Sequence, residues 1–225
     1  MPNMYKYFAT ILSFILIFSM PAKAQEEDFN IWGVATSSID TSDKTFIWLE
    51  AQPRFTNDAD RLGQLLLRTA IGYKLTDTTS ALAGYAYIFT DPEGPTSSNE
   101  HRIWQQLSFR VLGNGKNVTL SGRTRLEERF FEGEGDVAIR FRQQLKLTAP
   151  LGDKFKAVLY TEPFIGFTDN DVQADGINVW RNFVGINIPI GKGFAIEPGY
   201  MNQYVVRDGA DRIDHVAVIG ISSKF

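Results

Sequence analysis

The sequence predicts an all-β protein, an antiparallel transmembrane β-barrel of about ten strands, with a range from ten to twelve. Three observations support this prediction: long segments in which apolar and polar residues alternate, turn residues between these segments, and connections that are alternately short and long. Successive side chains of a strand point to opposite faces, so the alternation gives one apolar and one polar face. Membrane-spanning strands need about 9–11 residues, and the segments are long enough.

The segment from residue 137 to residue 148 shows the alternation clearly. Its odd positions are mostly apolar, as at Phe141 and Leu145, whereas its even positions include Arg140, Arg142 and Lys146. A helix would mix these two sets of residues on one face, so the pattern favours a strand. Comparable segments predict ten strands near 44–55, 62–75, 80–90, 100–111, 118–130, 137–148, 155–167, 177–190, 194–205 and 213–225.

The connections between these strands fall into two classes. Those around 76–79, 112–117, 151–154 and 191–193 are tight, and turn residues such as Gly, Asn and Asp lie in them. The others are mostly longer and rich in Asp and Glu; they lie at 91–99, 132–136, 168–176 and 206–212. Short periplasmic turns and longer outer loops are typical of outer-membrane barrels. Aromatic residues cluster near both ends of the strands, as expected of two interfacial girdles.

The N-terminal residues 1–24 predict a cleavable secretory signal peptide. Lys6 precedes the apolar stretch 8–20, and Ala22-Lys23-Ala24 forms a small-residue cleavage site, so we expect cleavage between Ala24 and Gln25. The alternative, a transmembrane anchor, needs about 20 apolar residues, and this stretch is shorter. We expect residues 25–43 to form an N-terminal segment, which is a partial strand, a lumen insert or half of a strand pair, and residues 44–225 to form the barrel.

Composition excludes several classes of function. The sequence has no cysteine, which excludes disulfides, thiolate metal sites, thiol nucleophiles and a thiol-anchored lipoprotein. Its net charge is −3, and cleavage would remove two lysines and no acid, which makes the mature protein more acidic still. A nucleic-acid binder is usually basic, so we expect no nucleic-acid partner.

A soluble barrel of the lipocalin type would also show alternation, but with its apolar face inward. Three features favour the membrane: the long strands, the terminal Phe225, and a face that carries Arg123, Arg125, Glu127 and Arg129 together. Residues 219–225 are similar to the C-terminal signal that the barrel-assembly machinery reads. We therefore expect export through the periplasm to the outer membrane of a Gram-negative bacterium, with that machinery, outer-membrane lipid and lipopolysaccharide as partners.

The strand count depends on how the N-terminal segment is interpreted. Ten strands put both ends in the periplasm, in keeping with the even counts of bacterial barrels. Residues 31–34 (IWGV) also look like part of a strand, and an eleventh full strand would put the N-terminus outside the cell. The sequence does not decide between these arrangements, and it does not indicate an oligomeric state.

Several blocks of sequence resemble one bacterial family of small outer-membrane barrels, the domain of unknown function 2490. The blocks are residues 100–106 (EHRIWQQ), 123–130 (RTRLEERF), 140–142 (RFR), 162–164 (EPF), 181–185 (RNFVG) and 197–203 (EPGYMNQ). The resemblance covers nearly all of the chain after residue 24. The resemblance implies an outer-membrane barrel without an assigned activity, and it identifies no catalytic residue.

The predicted inward face is rich in arginine. Its basic residues are Arg54, Arg68, Arg102, Arg110, Arg123, Arg125, Arg129, Arg140, Arg142, Lys146 and Arg181, and its acidic residues are Glu50, Glu127, Glu162 and Glu197. These side chains either form a structural plug of Arg–Glu pairs or line a basic constriction that selects anions. An unpaired buried charge is strongly destabilising, so the excess of basic residues is expected to meet water, loop acids or an anionic solute.

An enzyme is the least favoured function. His101 and His215 are the two histidines, each next to an acid at a strand start, and there is no Gly-x-Ser-x-Gly motif for a nucleophile. Residues 169–171 (DND) begin like a calcium loop but lack its later ligands, so we expect no metal, cofactor or catalytic site. Three hypotheses remain: a narrow anion-preferring channel, a structural or surface-interaction barrel with a closed lumen, and a membrane-embedded hydrolase.

Overall fold

The computed structural model describes residues 25–91, 96–115, 117–170, 172–207 and 209–225. In these ranges the chain forms a closed barrel of eleven strands, so the predicted fold class is confirmed and the count is one above ten. The strands are β1 (Gln25–Asp40), β2 (Thr45–Thr56), β3 (Arg61–Thr76), β4 (Thr79–Thr90), β5 (Ser98–Leu112), β6 (Thr119–Phe131), β7 (Val137–Leu151), β8 (Phe155–Gly166), β9 (Gly176–Gly191), β10 (Phe194–Val205) and β11 (Asp211–Lys224). The described residues include no helix that is long and apolar enough to cross a membrane.

Each strand pairs with its neighbours in sequence, and β1 closes the barrel against β11. The two ends of the barrel differ in their connections. We call the end with connections 41–44, 77–78, 113–118, 152–154 and 192–193 the turn side. The opposite end is the loop side, with connections 57–60, 91–97, 132–136, 167–175 and 206–210.

The first strand corrects the interpretation of the N-terminal segment. Residues 25–40 form a full strand rather than a partial strand or an insert, so the barrel begins at Gln25 and not at residue 44. β1 runs antiparallel to β2 and parallel to β11, with Trp32 opposite both Arg54 and Val218. Successive strands of the barrel run in opposite directions. With an odd number of strands, the first and the last therefore run in the same direction, so β1 and β11 must pair in parallel. β1 therefore begins on the loop side.

The alternation separates two faces on every strand. Residues such as Ile71, Leu145 and Ile219 are exposed on the outer face, whereas Trp104 and Phe164 are buried inside. The outer face is mostly apolar, and a row of polar residues crosses it on β8–β11, namely Thr161, Asn182, Asn202 and His215. The inner face holds the arginines and glutamates, so the parity of the strands positions the candidate site.

Candidate functional site in the lumen

The carboxylate of Glu127, on β6, is the centre of a buried charge cluster. Its side chain is 1% exposed, and four guanidinium groups surround it. Arg140 Nη2 lies 2.5 Å and Arg142 Nη1 2.9 Å from a carboxylate oxygen, while Arg125 Nη1 and Arg102 Nη1 are 3.6 and 3.9 Å away. Arg140 also donates from Nε to the same oxygen at 3.0 Å. Such charge-assisted bonds are stronger than neutral ones and fix the side chains in place.

Glu100 organises a second cluster nearer the loop side. It accepts hydrogen bonds from Arg102 Nε at 2.5 Å and from Arg129 Nε at 2.6 Å. Arg129 also donates to Gln173, a buried residue of the 167–175 connection, at 3.1 Å. The Gln173 amide in turn donates to the Ile139 carbonyl oxygen at 2.8 Å. A loop residue is thus attached to the charged layer, and it helps to close this end of the lumen.

Two further glutamates lie on the inner face towards the turn side. Glu162 accepts hydrogen bonds from Arg123 Nη2 at 2.7 Å and from Arg142 Nε at 3.1 Å. Glu50 pairs with Arg68 on the adjacent strand. Arg142 therefore bridges Glu162 to the Glu127 cluster, and it connects the two halves of the charge network.

Aromatic rings extend this network across the lumen. The guanidinium carbon of Arg54 lies 3.7 Å above the Trp32 ring, and that of Arg181 is 5.0 Å from the same ring. Arg181 is also 4.6 Å from the Phe164 ring, on which Arg142 stacks at 4.1 Å. We call the resulting layer the septum; its members are Trp32, Arg54, Arg181, Phe164, Arg142, Glu127, Arg125 and Trp104.

Close approach of the backbone makes room for the last ring of the septum. Trp104 is buried on β5, and Arg125 stacks on it at 4.4 Å. On the neighbouring strand, a Cβ atom at Gly84 would lie 2.7 Å from the Trp104 ring. Only glycine lets the indole lie flat against the wall at this position.

Basic residues outnumber acidic residues on the inner face, and some arginines of the septum have uncharged partners instead. Arg125 donates from Nε and Nη2 to the side-chain amide oxygen (Oε1) of Gln106 at 2.9 and 2.6 Å. Arg181 donates to Gln203 at 2.7 Å, and Gln203 donates to the Asp214 carboxylate. Side-chain amides are thus partners of these arginines in addition to the water, loop acids or anionic solute expected from the sequence. Amide oxygens and aromatic faces stabilise buried guanidinium groups as well.

Two connected cavities lie on the turn side of the septum. A vestibule of about 1030 Å³ opens at the turn side, and its lining includes Lys74, Arg110 and Lys224. It continues into a chamber of about 390 Å³ at mid-lumen. Both cavities are lined by the same four side chains where they meet, namely Trp48, Arg123, Arg125 and Gln144. The turn-side half of the lumen is thus open space that reaches up to the septum.

A third cavity lies on the loop side. It has a volume of about 320 Å³ and is lined by Trp32, Arg54, Gln203 and Asp214 among others. Among the described residues, no side chain lines both this cavity and the chamber. The carboxylate of Asp28, also in its lining, accepts hydrogen bonds from the backbone of the 57–60 connection. The septum separates the two spaces.

The structure places the sequence-predicted residues at different depths. Arg110, Lys146 and Glu197 lie towards the turn side, where Lys146 Nζ and Glu197 Oε1 are 3.4 Å apart. The others lie in the charge network at mid-lumen or nearer the loop side; they are Arg54, Arg68, Arg102, Arg123, Arg125, Glu127, Arg129, Arg140, Arg142, Glu162, Arg181 and Glu50.

Sequence reasoning missed several members of the site. Glu100 shares the parity of Arg102 and could have been assigned to the inner face by the same argument. Trp32 was missed because the N-terminal segment had no assigned strand. The glutamine partners, such as Gln106 and Gln203, carry no charge, and no sequence signal distinguished them from other polar residues of the strands.

The chain ends are placed differently. Ala24, and with it the predicted cleavage site, lies outside the described residues, and Gln25 is the first residue of β1. Phe225 lies at the turn side, where its backbone N–H donates to the Ser38 carbonyl oxygen at 2.9 Å. Its ring packs edge-on against Phe194, with 5.4 Å between centroids. The terminal residue therefore completes the turn-side rim.

The two histidines lie on the outer face and not in the lumen. His101 Nδ1 is hydrogen-bonded to the Tyr85 hydroxyl at 2.5 Å, and His215 Nδ1 to the Tyr200 hydroxyl at 2.7 Å. The described residues include no group of three or more His, Asp or Glu side chains arranged to hold a metal ion. Neither histidine contacts the charged cluster around Glu127, because both side chains lie on the outer face.

Comparisons with known proteins agree with this architecture. The profile of the family described as "Protein of unknown function (DUF2490)" matches residues 29–214, so the resemblance inferred from the sequence is confirmed. An uncharacterised protein of Methylorubrum extorquens is 28% identical over 99% of this chain and 100% of its own length. The crystal structure of the NanC porin superposes with a TM-score of 0.50 at 13% identity, covering 84% of this chain and 93% of the porin. That likeness shows a porin-like barrel fold.

Proposed function

The chain belongs to the DUF2490 family, whose description assigns no activity, and we propose that it is an outer-membrane barrel whose lumen is closed midway. The septum blocks free diffusion, and the turn-side half is a blind, positively charged space open to the periplasm. The structural alternative drawn from the sequence, a lumen closed by Arg/Glu pairs, is thus the better supported one.

A membrane location is supported by the outer face. Large apolar side chains cover it, and several are more than half exposed, such as Ile71, Val184 and Ile219. A soluble protein rarely exposes apolar patches of this extent. Exposed aromatic side chains lie at both ends, including Phe155 and Phe194 on the turn side and Phe167 on the loop side. Aromatic girdles at two interfaces are typical of barrels in the outer membrane.

The observation that carries the closed lumen is the contact of the Trp32 ring with two guanidinium groups that line different cavities. Arg54, 3.7 Å from the ring centre, lines the loop-side cavity, and Arg181, 5.0 Å from it, lines the chamber. Trp32 is 4% exposed, so its ring is packed between the two spaces. A dehydrated barrier of this kind is the means by which many pores close.

Conductance in planar lipid bilayers tests the closed lumen. We expect the refolded wild-type barrel to be silent and Trp32→Ala to conduct, because the substitution joins the chamber to the loop-side cavity. Trp48→Ala is the matched control: Trp48 lines the vestibule and the chamber but not the loop-side cavity, so the barrel should stay silent. A steady wild-type conductance that Trp32→Ala leaves unchanged would contradict the proposal.

A narrow anion-preferring channel is the second candidate, and the charge of the chamber favours it. Arg123, Arg125 and Arg142 line the chamber, whereas Arg140 lines none of the cavities described above and is held by Glu127. If the wild-type barrel conducts, its reversal potential in a salt gradient should indicate anion preference. Arg123→Gln should reduce that preference.

Export and assembly remain proposals that rest on the two chain ends. We propose that residues 1–24 are removed on export, which an intact mass beginning at Gln25 would establish. Phe225, which joins the turn-side rim, is proposed as part of the signal for the barrel-assembly machinery. We also propose that outer-membrane lipid and lipopolysaccharide surround the apolar outer face. The hydrolase hypothesis is supported less well, since the two histidines are hydrogen-bonded to tyrosines on the outer face, and the acid beside His215, Glu27, is 3.7 Å away on the same face.

A further inference from the structure

The charge around the chamber is unbalanced. Six cationic side chains line it, with three carboxylates. The cations are Arg68, Arg123, Arg125, Arg142, Lys146 and Arg181, and the carboxylates are Glu50, Glu162 and Glu197. Every one of these carboxylates already has a cationic partner. The wall of the chamber therefore carries an excess of three positive charges over the acids that line it.

Two of these guanidinium groups also have unused donors. The Nε atoms of Arg68 and Arg123 are buried and have no hydrogen-bond partner among the described residues. Each of the two arginines binds its glutamate through a single terminal nitrogen. A guanidinium has five N–H donors, so each of these two arginines keeps a second terminal nitrogen that its glutamate does not use. Because Nε is buried, this second terminal nitrogen is the donor suited to an oxyanion in the chamber.

Arg125 differs from these two because its donors are partly used by Gln106. Arg123, Arg142 and Arg68 line the same chamber as Arg125. These four cations thus form a cluster whose mutual repulsion an anion would relieve. Amide oxygens and rings satisfy hydrogen bonds and stack on guanidinium faces, but they do not neutralise charge.

From these observations we propose that the chamber binds a small multivalent oxyanion, of the phosphate or carboxylate class, between Arg68, Arg123 and Arg125. The volume of about 390 Å³ lies at the lower end of ordinary small-molecule sites. Gln144 and Asn187 in the lining offer neutral donors beside the cations. Arginine suits such a ligand because its planar fork binds carboxylate and phosphate oxygens in pairs.

The ligand reaches the chamber from the turn side. Six cationic side chains and three acids line the vestibule; the cations are Lys44, Lys74, Arg110, Arg123, Arg125 and Lys224, and the acids are Asp40, Asp43 and Asp77. A cleft lined by one dominant sign of charge concentrates counter-ions and raises their rate of entry. In the proposed orientation this entrance faces the periplasm. The inference rests on the proposed function only in that the chamber must be reached from this side.

Calorimetric titration of the folded barrel in detergent, with inorganic phosphate and with succinate as separate probes, tests the site. Saturable binding of either probe at constant ionic strength, with no effect of the same titration with chloride, is the expected result. The stronger probe identifies the class of oxyanion. Absence of saturable binding by both probes would overturn the proposal.

Two substitutions locate the site. Arg123→Gln should weaken binding about tenfold or more, because one charge-assisted contact is worth about 1.5–3 kcal/mol. Glu162 keeps Arg142 as a partner, so this variant retains its buried pairing. Arg110→Gln, in the vestibule but outside the chamber, is the matched control and should change affinity less than about twofold. Equal weakening by both substitutions would overturn the location.

Folding and conductance are controlled separately. The heat-dependent shift in gel mobility establishes that each variant is folded, and Arg125→Gln replaces Arg123→Gln if the latter does not fold. Glu127 keeps Arg140 and Arg142 in that variant. A barrel that conducts in bilayers and still binds phosphate would contradict the closed lumen and support the site. A barrel that does not conduct and binds neither probe would support the closed lumen and contradict the site.

Discussion

The two halves of the lumen are built from the same residue types with opposite results. On the loop side, Glu100 and Glu127 are surrounded by arginines at hydrogen-bonding distance, and rings fill the remaining space. On the turn side, Lys146 and Glu197 are 3.4 Å apart and each is about a quarter or more exposed. The layer around Glu100 and Glu127 is tightly paired, whereas the turn side is an open space with excess positive charge.

The difference teaches that pairing geometry, rather than composition, decides whether an arginine-rich lumen is closed. Arg140 and Arg142 each bind Glu127, and they also stack on Phe164. Arg123 carries the same charge, yet it binds its glutamate through one nitrogen and is 27% exposed. Arg142, which has a ring and two acids beside it, is only 5% exposed although it lines the same chamber as Arg123.

The largest expected effect on stability comes from removing the acid at the centre of the tightly paired layer. Glu127→Gln leaves Arg140 and Arg142 without full neutralisation in a buried layer, and breaking a buried pair costs about 3–5 kcal/mol. Glu197→Gln is the matched change in the open half. Because Glu197 is 25% exposed and its partner is 3.4 Å away, we expect a loss below about 1 kcal/mol. Urea unfolding of the barrel in lipid vesicles measures both.

Equal losses of stability in Glu127→Gln and Glu197→Gln would contradict the comparison. Both halves of the lumen would then depend on paired charge to the same degree. A fully folded Glu127→Gln barrel of wild-type stability would show that amides and rings alone hold the septum. In that case the bilayer recording of the same variant would indicate whether the layer still closes the lumen.

Strand positions and faces were predictable from the sequence, but the charge network was not. The side-chain period of a strand is two, so the alternation in residues 137–148 places Arg140, Arg142 and Lys146 on the inner face of the barrel. This assignment does not depend on which residues they contact. Which of them is buried depends on partners on the adjacent strand, such as Phe164 and Glu162 on β8, and the alternation does not specify the register between the two strands. Parity gives the face of each side chain but not its contact across the lumen.

The first strand was misjudged for a different reason. Phe29 and Ile31 face outward and Asn30 and Trp32 inward, so the local alternation was present in the sequence. The preference of bacterial barrels for an even number of strands outweighed it. The end of β1, at residues 35–38 (ATSS), is also small and polar, which weakens the strand signal.

The next largest effect concerns which face meets lipid in the open half. Leu145 is 37% exposed on the outer face, and Lys146 faces the lumen. Leu145→Arg should cost about 2–4 kcal/mol near the membrane centre, whereas Lys146→Gln should cost less than about 1 kcal/mol. Folding yields and unfolding midpoints in vesicles measure both changes. Similar effects would show that the turn-side half is not enclosed by lipid as proposed.

The smallest expected effect on stability, and the sharpest test of the closure, is a cross-link between β1 and β11. Ser37 and Ser223 are opposite each other on the outer face, with 3.0 Å between their hydroxyl oxygens. Because the chain has no cysteine, Ser37→Cys with Ser223→Cys gives an unambiguous disulfide test.

We expect oxidation to form the disulfide with little change in folding, and electrophoresis with and without reductant detects it. Ser37→Cys with Ser222→Cys is the control, since residues 222 and 223 point to opposite faces and should not cross-link. A barrel of ten strands without β1 in the wall would give no cross-link in either variant. That result would also remove Trp32 from the lumen, and with it the septum on which the difference between the two halves depends.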